Sequence, residues 1–406
     1  MSAATLTICL GGCDSLGGLP GFMRTFPRTT AWRQIDVNRG ANALPAVTAV
    51  ADFNNDGLPD VVVGYPGSQN STAEIAIMFQ ISPTQWRRVP ILSGTGATGV
   101  VSLAVADVSS DGRPDIIAGC DGRIVYLRSP DNPDTGLGWG ADVIAQSDGA
   151  GLGRWTDVAA VQIDRLFGVD IVACNSQGAL LSWFRAPQFA LTGGGWQRVD
   201  IDNTTRSGAT GIAITDLDRD GFPDVVSTAR SESQASVAWY RHPGNNVNQG
   251  AAWQKFTIGN LNDATRVDVG DLNRDGRTDV VVVSPAELLI GWYAQPENLT
   301  TGTWSGVILA EFVSNTPADA RVADVDANGQ PDVVAATANG GTLRWFTPIN
   351  DVRAAWVENN LIDLDTNVGR ISLADIDRNG RIDAVAPLVA MDAANDLVAW
   401  FQNPEL

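Results

Sequence analysis

The chain has 406 residues, 44% of them apolar, and a formal net charge of −19, so it can build a full core but lacks the basic face of a nucleic-acid binder. A single His (His242) and a single Lys (Lys255) all but exclude histidine-based triads and histidine metal sites. No apolar run is long enough to span a membrane as a helix.

Residues 1–29 read as an N-terminal extension, trimmed or ordered. Within it, ATLTICLGGC (4–13) resembles the lipobox of bacterial lipoproteins, which would make Cys13 a lipidated first residue. Against that, the apolar stretch is short and no Lys or Arg precedes it. The four cysteines, Cys9, Cys13, Cys120 and Cys174, allow three pairings. Cys120 and Cys174 read as small buried hydrophobes at strand ends.

From residue 30 onward the chain repeats. The stretch ADFNNDGLPDVVVG (51–64) recurs from positions 106, 215, 270, 323 and 374, with a worn copy, VQIDRLFGVDIVAC, from 161. The first loop positions are Asp52, Asp107, Gln162, Asp216, Asp271, Asp324 and Asp375, separated by 55, 55, 54, 55, 53 and 51 residues. Two aromatic marks keep the same period. One is a Trp opening an alternating segment: Trp32, Trp86, Trp139, Trp196, Trp253, Trp304 and Trp356. The other is an aromatic pair closing an apolar run, such as Trp239-Tyr240, with Met78-Phe79 and Tyr126-Leu127 in its place in the first two repeats. Periodic aromatics of this kind belong between neighbouring units, and Trp155, outside both sets, is expected to fill space near the worn loop.

Each unit reads as four short β-branched strands bounded by Gly, Pro, Asn and Ser. Seven units of about 50 residues imply an all-β, seven-bladed propeller of four-stranded antiparallel blades over residues 30–406. The last unit stops after its third strand, and an orphan strand stands at about 32–37. Pairing the two would close the ring and remove an open edge.

The loops have the chemistry of a Ca²⁺ site. Acids at positions 1, 3 and 5 aim oxygens at one centre, Gly at 6 permits a sharp turn, position 7 offers a carbonyl, and Asp at 9 closes the set. The expected ligands are Asp52, Asn54, Asp56, the Leu58 carbonyl and Asp60 in the first repeat, and Asp107, Ser109, Asp111, the Arg113 carbonyl and Asp115 in the second. The fourth offers Asp216, Asp218, Asp220, the Phe222 carbonyl and Asp224, the most charged set. The fifth offers Asp271, Asn273, Asp275, the Arg277 carbonyl and Asp279. The sixth offers Asp324, Asp326, Asn328, the Gln330 carbonyl and Asp332. The seventh offers Asp375, Asp377, Asn379, the Arg381 carbonyl and Asp383. Ser109 weakens the second site. The third, with Gln162, Leu166 and Phe167 at positions 1, 5 and 6, is expected to hold no metal. Carboxylates packed this closely repel unless a cation intervenes, and Mg²⁺ fits less well because it demands a small octahedron and keeps its waters.

The D-x-[DNS]-x-[DN]-G-x-x-D loops followed by DVVVG-like strands resemble FG-GAP/VCBS repeats, which form the seven-bladed propeller of integrin alpha chains and of many secreted microbial proteins. The resemblance spans about residues 30–406, though the third loop is lost and no literal FG-GAP tetrad is present. It implies a Ca²⁺-stabilised adhesion, carbohydrate-binding or scaffold module. The expected function is therefore a non-enzymatic extracellular or cell-surface module whose partner is a protein, a glycan or further copies of itself. A lectin-like propeller and a polysaccharide-active enzyme are the alternatives. Because most patterned acids are assigned to metal, no catalytic residue is assigned, and His242 is expected at the surface. Sequons occur at Asn70, Asn203 and Asn298.

Overall fold

The computed structural model describes residues 32–39, 44–69, 71–146, 153–176, 180–188, 195–202, 208–230, 236–349, 356–364, 366–390 and 397–404. The expected N-terminal extension, Cys9, Cys13, Asn70 and Asn203 lie outside them.

Alternation of side chains with period two builds the fold. In blade one, four antiparallel strands (Val47–Ala51, Asp60–Tyr65, Glu74–Ser82 and Gln85–Ser93) pair in sequence order. The second strand is buried along its whole length because both its faces are covered. Val62 points into the core shared with blade two, whereas Val61, Val63 and Tyr65 point into the core shared with blade seven. The same alternation in every blade gives seven hydrophobic cores, one at each blade–blade contact, rather than one central core. The outer strands face solvent on one side, and Gln254–Gly259, for example, is exposed at its start and buried at Ile258.

The inner strands follow one another round the ring in chain order, with blade seven against blade one. Blade seven is completed as expected: Arg33–Arg39 pairs antiparallel with Leu397–Gln402, and Ile35 stands opposite Trp400. Trp32 lies just before this strand and is buried. In blade one, Val61 stands opposite Met78, the place that Phe184, Tyr240 and Tyr293 take in later blades. The pair equivalent to the closing aromatics is therefore Ile77-Met78, one residue before the expected Met78-Phe79.

The inner strand of blade seven is interrupted between Asn367–Val368 and Ser372–Ala374. The break frees Arg370 to reach across the ring. Its guanidinium donates to the carbonyls of Val101 in blade two and Thr156 in blade three, and it pairs with Asp157 at 2.8 Å. Asp157, Asp268 and Asp319 each accept the N–H of the residue that follows and an N–H from the next blade, namely Ile212, Val322 and Ile371. Arg321 pairs with Asp319 at 3.3 Å. Charged side chains thus stitch the inner strands of neighbouring blades together, and Arg370 braces the ring across its middle.

Removing the apolar anchor of the closing strand should loosen the ring. Ile35→Ala deletes buried methyl groups from the core of blades seven and one and should cost about 2–5 kcal/mol, read as a lower urea midpoint. Arg33→Ala, at an exposed position of the same strand, should leave the midpoint nearly unchanged.

Candidate metal centres

Each acidic loop joins the inner strand of its blade to the second strand. A hydrogen-bond pattern repeats in all six intact copies. The carboxylate at position 1 accepts the N–H of position 5 on one oxygen and the N–H of the position-6 glycine on the other; in blade one Asp52 does so at 3.1 and 2.8 Å. Asp107, Asp216, Asp271, Asp324 and Asp375 repeat both bonds. The side chain at position 5 then accepts the N–H of position 7, from Leu58, Arg113, Phe222, Arg277, Gln330 and Arg381. Gly57, Gly112, Gly221, Gly276, Gly329 and Gly380 have φ between 80° and 87°, where a side chain would be strained. The sequence placed that glycine correctly. It gave no warning that position 4 is also left-handed, with φ 57° even at Ala327.

Position 9 has a second task. Asp60 is fully buried and accepts the N–H of Phe53 at 3.0 Å and of Gln80 at 2.8 Å, tying the loop to the end of the third strand. Asp170, Asp224, Asp279 and Asp383 make the equivalent pair of bonds, and Asp115 does so with its loop donor one residue later, at Ser109. Asp170 belongs to the worn loop, so the aspartate staples the hairpin whether or not the other ligands are present. In blade six Pro348 ends the third strand and has no N–H to give, which leaves Asp332 Oδ1 without the backbone donor found in the other blades.

Burial pushes these carboxyls up, to about 7 for Asp60, Asp224 and Asp332 and about 6 for Asp170, Asp279 and Asp383. The backbone N–H groups oppose the rise, and acidic neighbours in the intact loops add to it. In three loops the carboxylates of positions 1, 3 and 9 offer oxygens within 4.8 Å of one another: Asp216, Asp218 and Asp224; Asp324, Asp326 and Asp332; and Asp375, Asp377 and Asp383. Oxygen-only donors, close enough to share one centre and including the orphaned Asp332 Oδ1, fit a hard divalent cation. Loops one, two and five carry Asn54, Ser109 and Asn273 at position 3 and so bring two carboxylates and a neutral oxygen to the same places. Several loop acids already face side-chain cations: Arg241 lies 2.6 Å from Asp218, Arg113 2.6 Å from Asp111, and Arg277 2.5 Å from Asp275.

The worn third loop keeps the backbone course with other contacts. Arg165 is left-handed at position 4, and the positive-φ glycine is Gly168, one place later than elsewhere. The Gln162 side chain accepts the Arg165 N–H at 2.9 Å and donates to the Gly168 carbonyl. The Arg185 guanidinium lies 2.9 Å from Asp164, whose side chain is wholly buried, so this blade supplies its own cation. Leu166 and Phe167 face solvent where the other loops carry Asp or Asn and then glycine.

His242 corrects the expectation of a surface residue. It is 2% exposed, stacked on Phe222 at 4.9 Å and edge-on to Trp253. Gly244 N–H donates to its Nδ1, so the ring proton sits on Nε2, 3.1 Å from the Ile163 carbonyl of the preceding blade. The same carbonyl of other loops is held by Gln80 (to Ile376), Gln295 (to Leu217) and Asn403 (to Val325). In blade six, where Pro348 cannot reach, Gln330 donates to Leu272 instead. A latch between adjacent blades therefore stands at the end of the third strand in blades one, four, five and seven, and in blade six it comes from the loop. Its signal in the sequence is only a long polar residue at that position. Trp155 is buried edge-on to Phe184 at 5.6 Å, as core rather than as a platform for a sugar ring.

Residues 52–118 and 216–282 match the family model of the FG-GAP-like repeat. The matched stretches contain the whole loops of blades one, two, four and five, so the chain is a seven-bladed propeller carrying FG-GAP-like repeats. No curated protein matches the sequence. Among solved structures, BBS1N in complex with ARL6DN, soaked with lead, is similar with a TM-score of 0.54 at 13% identity, covering 92% of this chain and 98% of that one. A lectin of Agrocybe aegerita, described as specifically recognising non-reducing terminal N-acetylglucosamine, is similar with a TM-score of 0.53 at 15% identity, covering 89% of this chain and 86% of that one. At these identities the likeness is one of fold.

Two outcomes test this account of the loops. Arg185→Ala leaves a buried, unpaired carboxylate at Asp164 and should cost about 3 kcal/mol by chemical denaturation, equally with Ca²⁺ and with chelator. Burial holds the pKa of His242 below its ordinary value, so its neutral latch contributes fully above about pH 6.5 and is lost as acid protonates the unfolded chain first. The stability difference between wild type and His242→Gln should accordingly be constant from pH 8 to about 7 and shift against wild type by about pH 5.5.

Proposed function

We propose that the protein is a Ca²⁺-stabilised, non-enzymatic binding module that works outside the cell or at its surface. The observation that carries this reading is the recurrence, on one side of the ring, of loops whose carboxylates at positions 1, 3 and 9 approach within 4.8 Å. The residues that would hold the ion are the side chains at positions 1, 3, 5 and 9 of the six intact loops, from Asp52 to Asp383, with the carbonyl at position 7. The cation supplies charge neutralisation. The buried position-9 carboxyls, raised by desolvation and by acidic neighbours, then stay ionised without mutual repulsion, and the hairpin ends of the blades become rigid.

Sites of this kind in extracellular modules have dissociation constants of about 10⁻⁴–10⁻³ M. They fill outside cells and stay largely empty in resting cytosol, which supports an extracellular setting. Among the described residues no helix is long and apolar enough to cross a membrane. The patterned loop acids are engaged in the hairpins and His242 in a blade latch, which supports a non-enzymatic reading. The rim and the face opposite the loops remain for a protein or glycan partner, or for self-assembly.

Thermal unfolding with excess chelator, followed by back-titration of Ca²⁺, tests the reading. Each site filled at ten times its dissociation constant adds about 1.4 kcal/mol, so six sites should raise Tm by many degrees, and Mg²⁺ at the same concentration should do much less. An unchanged Tm would remove the cation reading and leave the propeller standing.

A further inference from the structure

The residue at position 4 lies between two candidate ligands, and in four loops it is arginine: Arg165, Arg219, Arg274 and Arg378. All four are left-handed, with φ between 56° and 61°, which turns the side chain away from its own site. Each reaches the loop of the next blade. Arg165 Nη2 donates to the carbonyl of Gly221 in loop four. Arg274 Nη2 donates to the carbonyl of Asn328 in loop six at 3.1 Å. Arg219 lies over Gly276 of loop five, where a Cβ would come within 3.9 Å of its Nη2. Arg378 lies over Gly57 of loop one, where a Cβ would meet its Nη1 at 3.1 Å. Asn55, Ser110 and Ala327 occupy position 4 in the remaining loops and are too short to make such a reach. Hydrogen bonds thus join loop three to four and loop five to six, while loop four to five and loop seven to one are joined only by an arginine lying over a glycine.

We propose that loops four, five and six bind Ca²⁺ as one coupled set, that loops seven and one form a second, and that loop two binds alone. This rests on the cation reading given above. A cation that fixes positions 3 and 5 of one loop fixes the arginine between them. That arginine then holds the carbonyl at position 5 or 6, or the glycine, of the next loop in place. Less ordering is left for the next cation to impose, so the second ion binds more tightly, and by linkage the coupling acts in both directions. Repulsion between guanidinium and cation opposes this, but at an exposed loop it is screened by salt. Loop three, which carries its own cation in Arg185, is the permanently ordered end of the longer chain.

The test is hydrogen exchange of the whole chain, stripped with chelator and titrated with Ca²⁺, read by mass spectrometry loop by loop. In wild type, loops four, five and six should gain protection at one shared Ca²⁺ concentration. Arg274→Ala removes no candidate ligand and should move loop six to a Ca²⁺ concentration about five-fold higher, while loop two stays unchanged. Arg219→Ala should instead separate loops five and six together from loop four. Independent midpoints in wild type, or midpoints that neither variant moves, would overturn the coupling while leaving the cation reading intact. If no loop gains protection with Ca²⁺, both fall together.

Discussion

Asp60, Asp115, Asp170, Asp224, Asp279, Asp332 and Asp383 are fully buried carboxylates, one per blade, and the hairpins of the ring are organised around them. Burying a carboxylate is costly unless its oxygens are paired. Here six of the seven accept an N–H from the start of the loop on one oxygen and an N–H at or just past the end of the third strand on the other. This joins three strands of the blade at one point. It also sets the position from which Gln80, His242, Gln295 and Asn403 reach the preceding blade. Strand register, loop course and blade-to-blade contact thus share one anchor.

The anchor explains why the third blade survives the loss of its metal-type loop. Asp170 keeps both backbone bonds although Gln162, Leu166 and Phe167 have replaced the residues around it. What the worn loop lacks is a cation facing Asp164, and Arg185 provides one. The comparison separates two roles that the repeat pattern merges. Position 9 is architectural in every blade, while positions 1, 3 and 5 are the variable part: six blades keep short oxygen-bearing side chains at all three, and blade three pairs its position-3 Asp164 with Arg185.

Ring integrity comes from contacts of two kinds. At the perimeter, Arg33–Arg39 completes the last blade by ordinary strand pairing. In the middle, Arg370 crosses from blade seven to blades two and three, while Asp157, Asp268 and Asp319 each take an N–H from the following blade. Seven separate interblade cores would otherwise let blades slide past one another, because apolar packing has no direction. Hydrogen bonds to charged groups do, and they fix the relative position of the blades they join.

The sequence alone determined the number of blades, the strand order, the closure by the N-terminal strand and the placement of the acidic loops. These follow from local periodicity: alternation sets strands, Gly at position 6 sets the turn, and a 51–55-residue spacing sets the unit. Tertiary structure decided what depends on neighbours in space. Nothing in WYRHPG distinguishes a surface histidine from one whose Nε2 meets Ile163, 79 residues away. Nothing near Arg370 points to Val101, 269 residues earlier. Arg185 becomes a cation for Asp164 only once the third strand lies beside the loop. A repeat reveals itself along the chain, whereas the contacts that make its copies unequal are made between copies and appear only when the ring has closed.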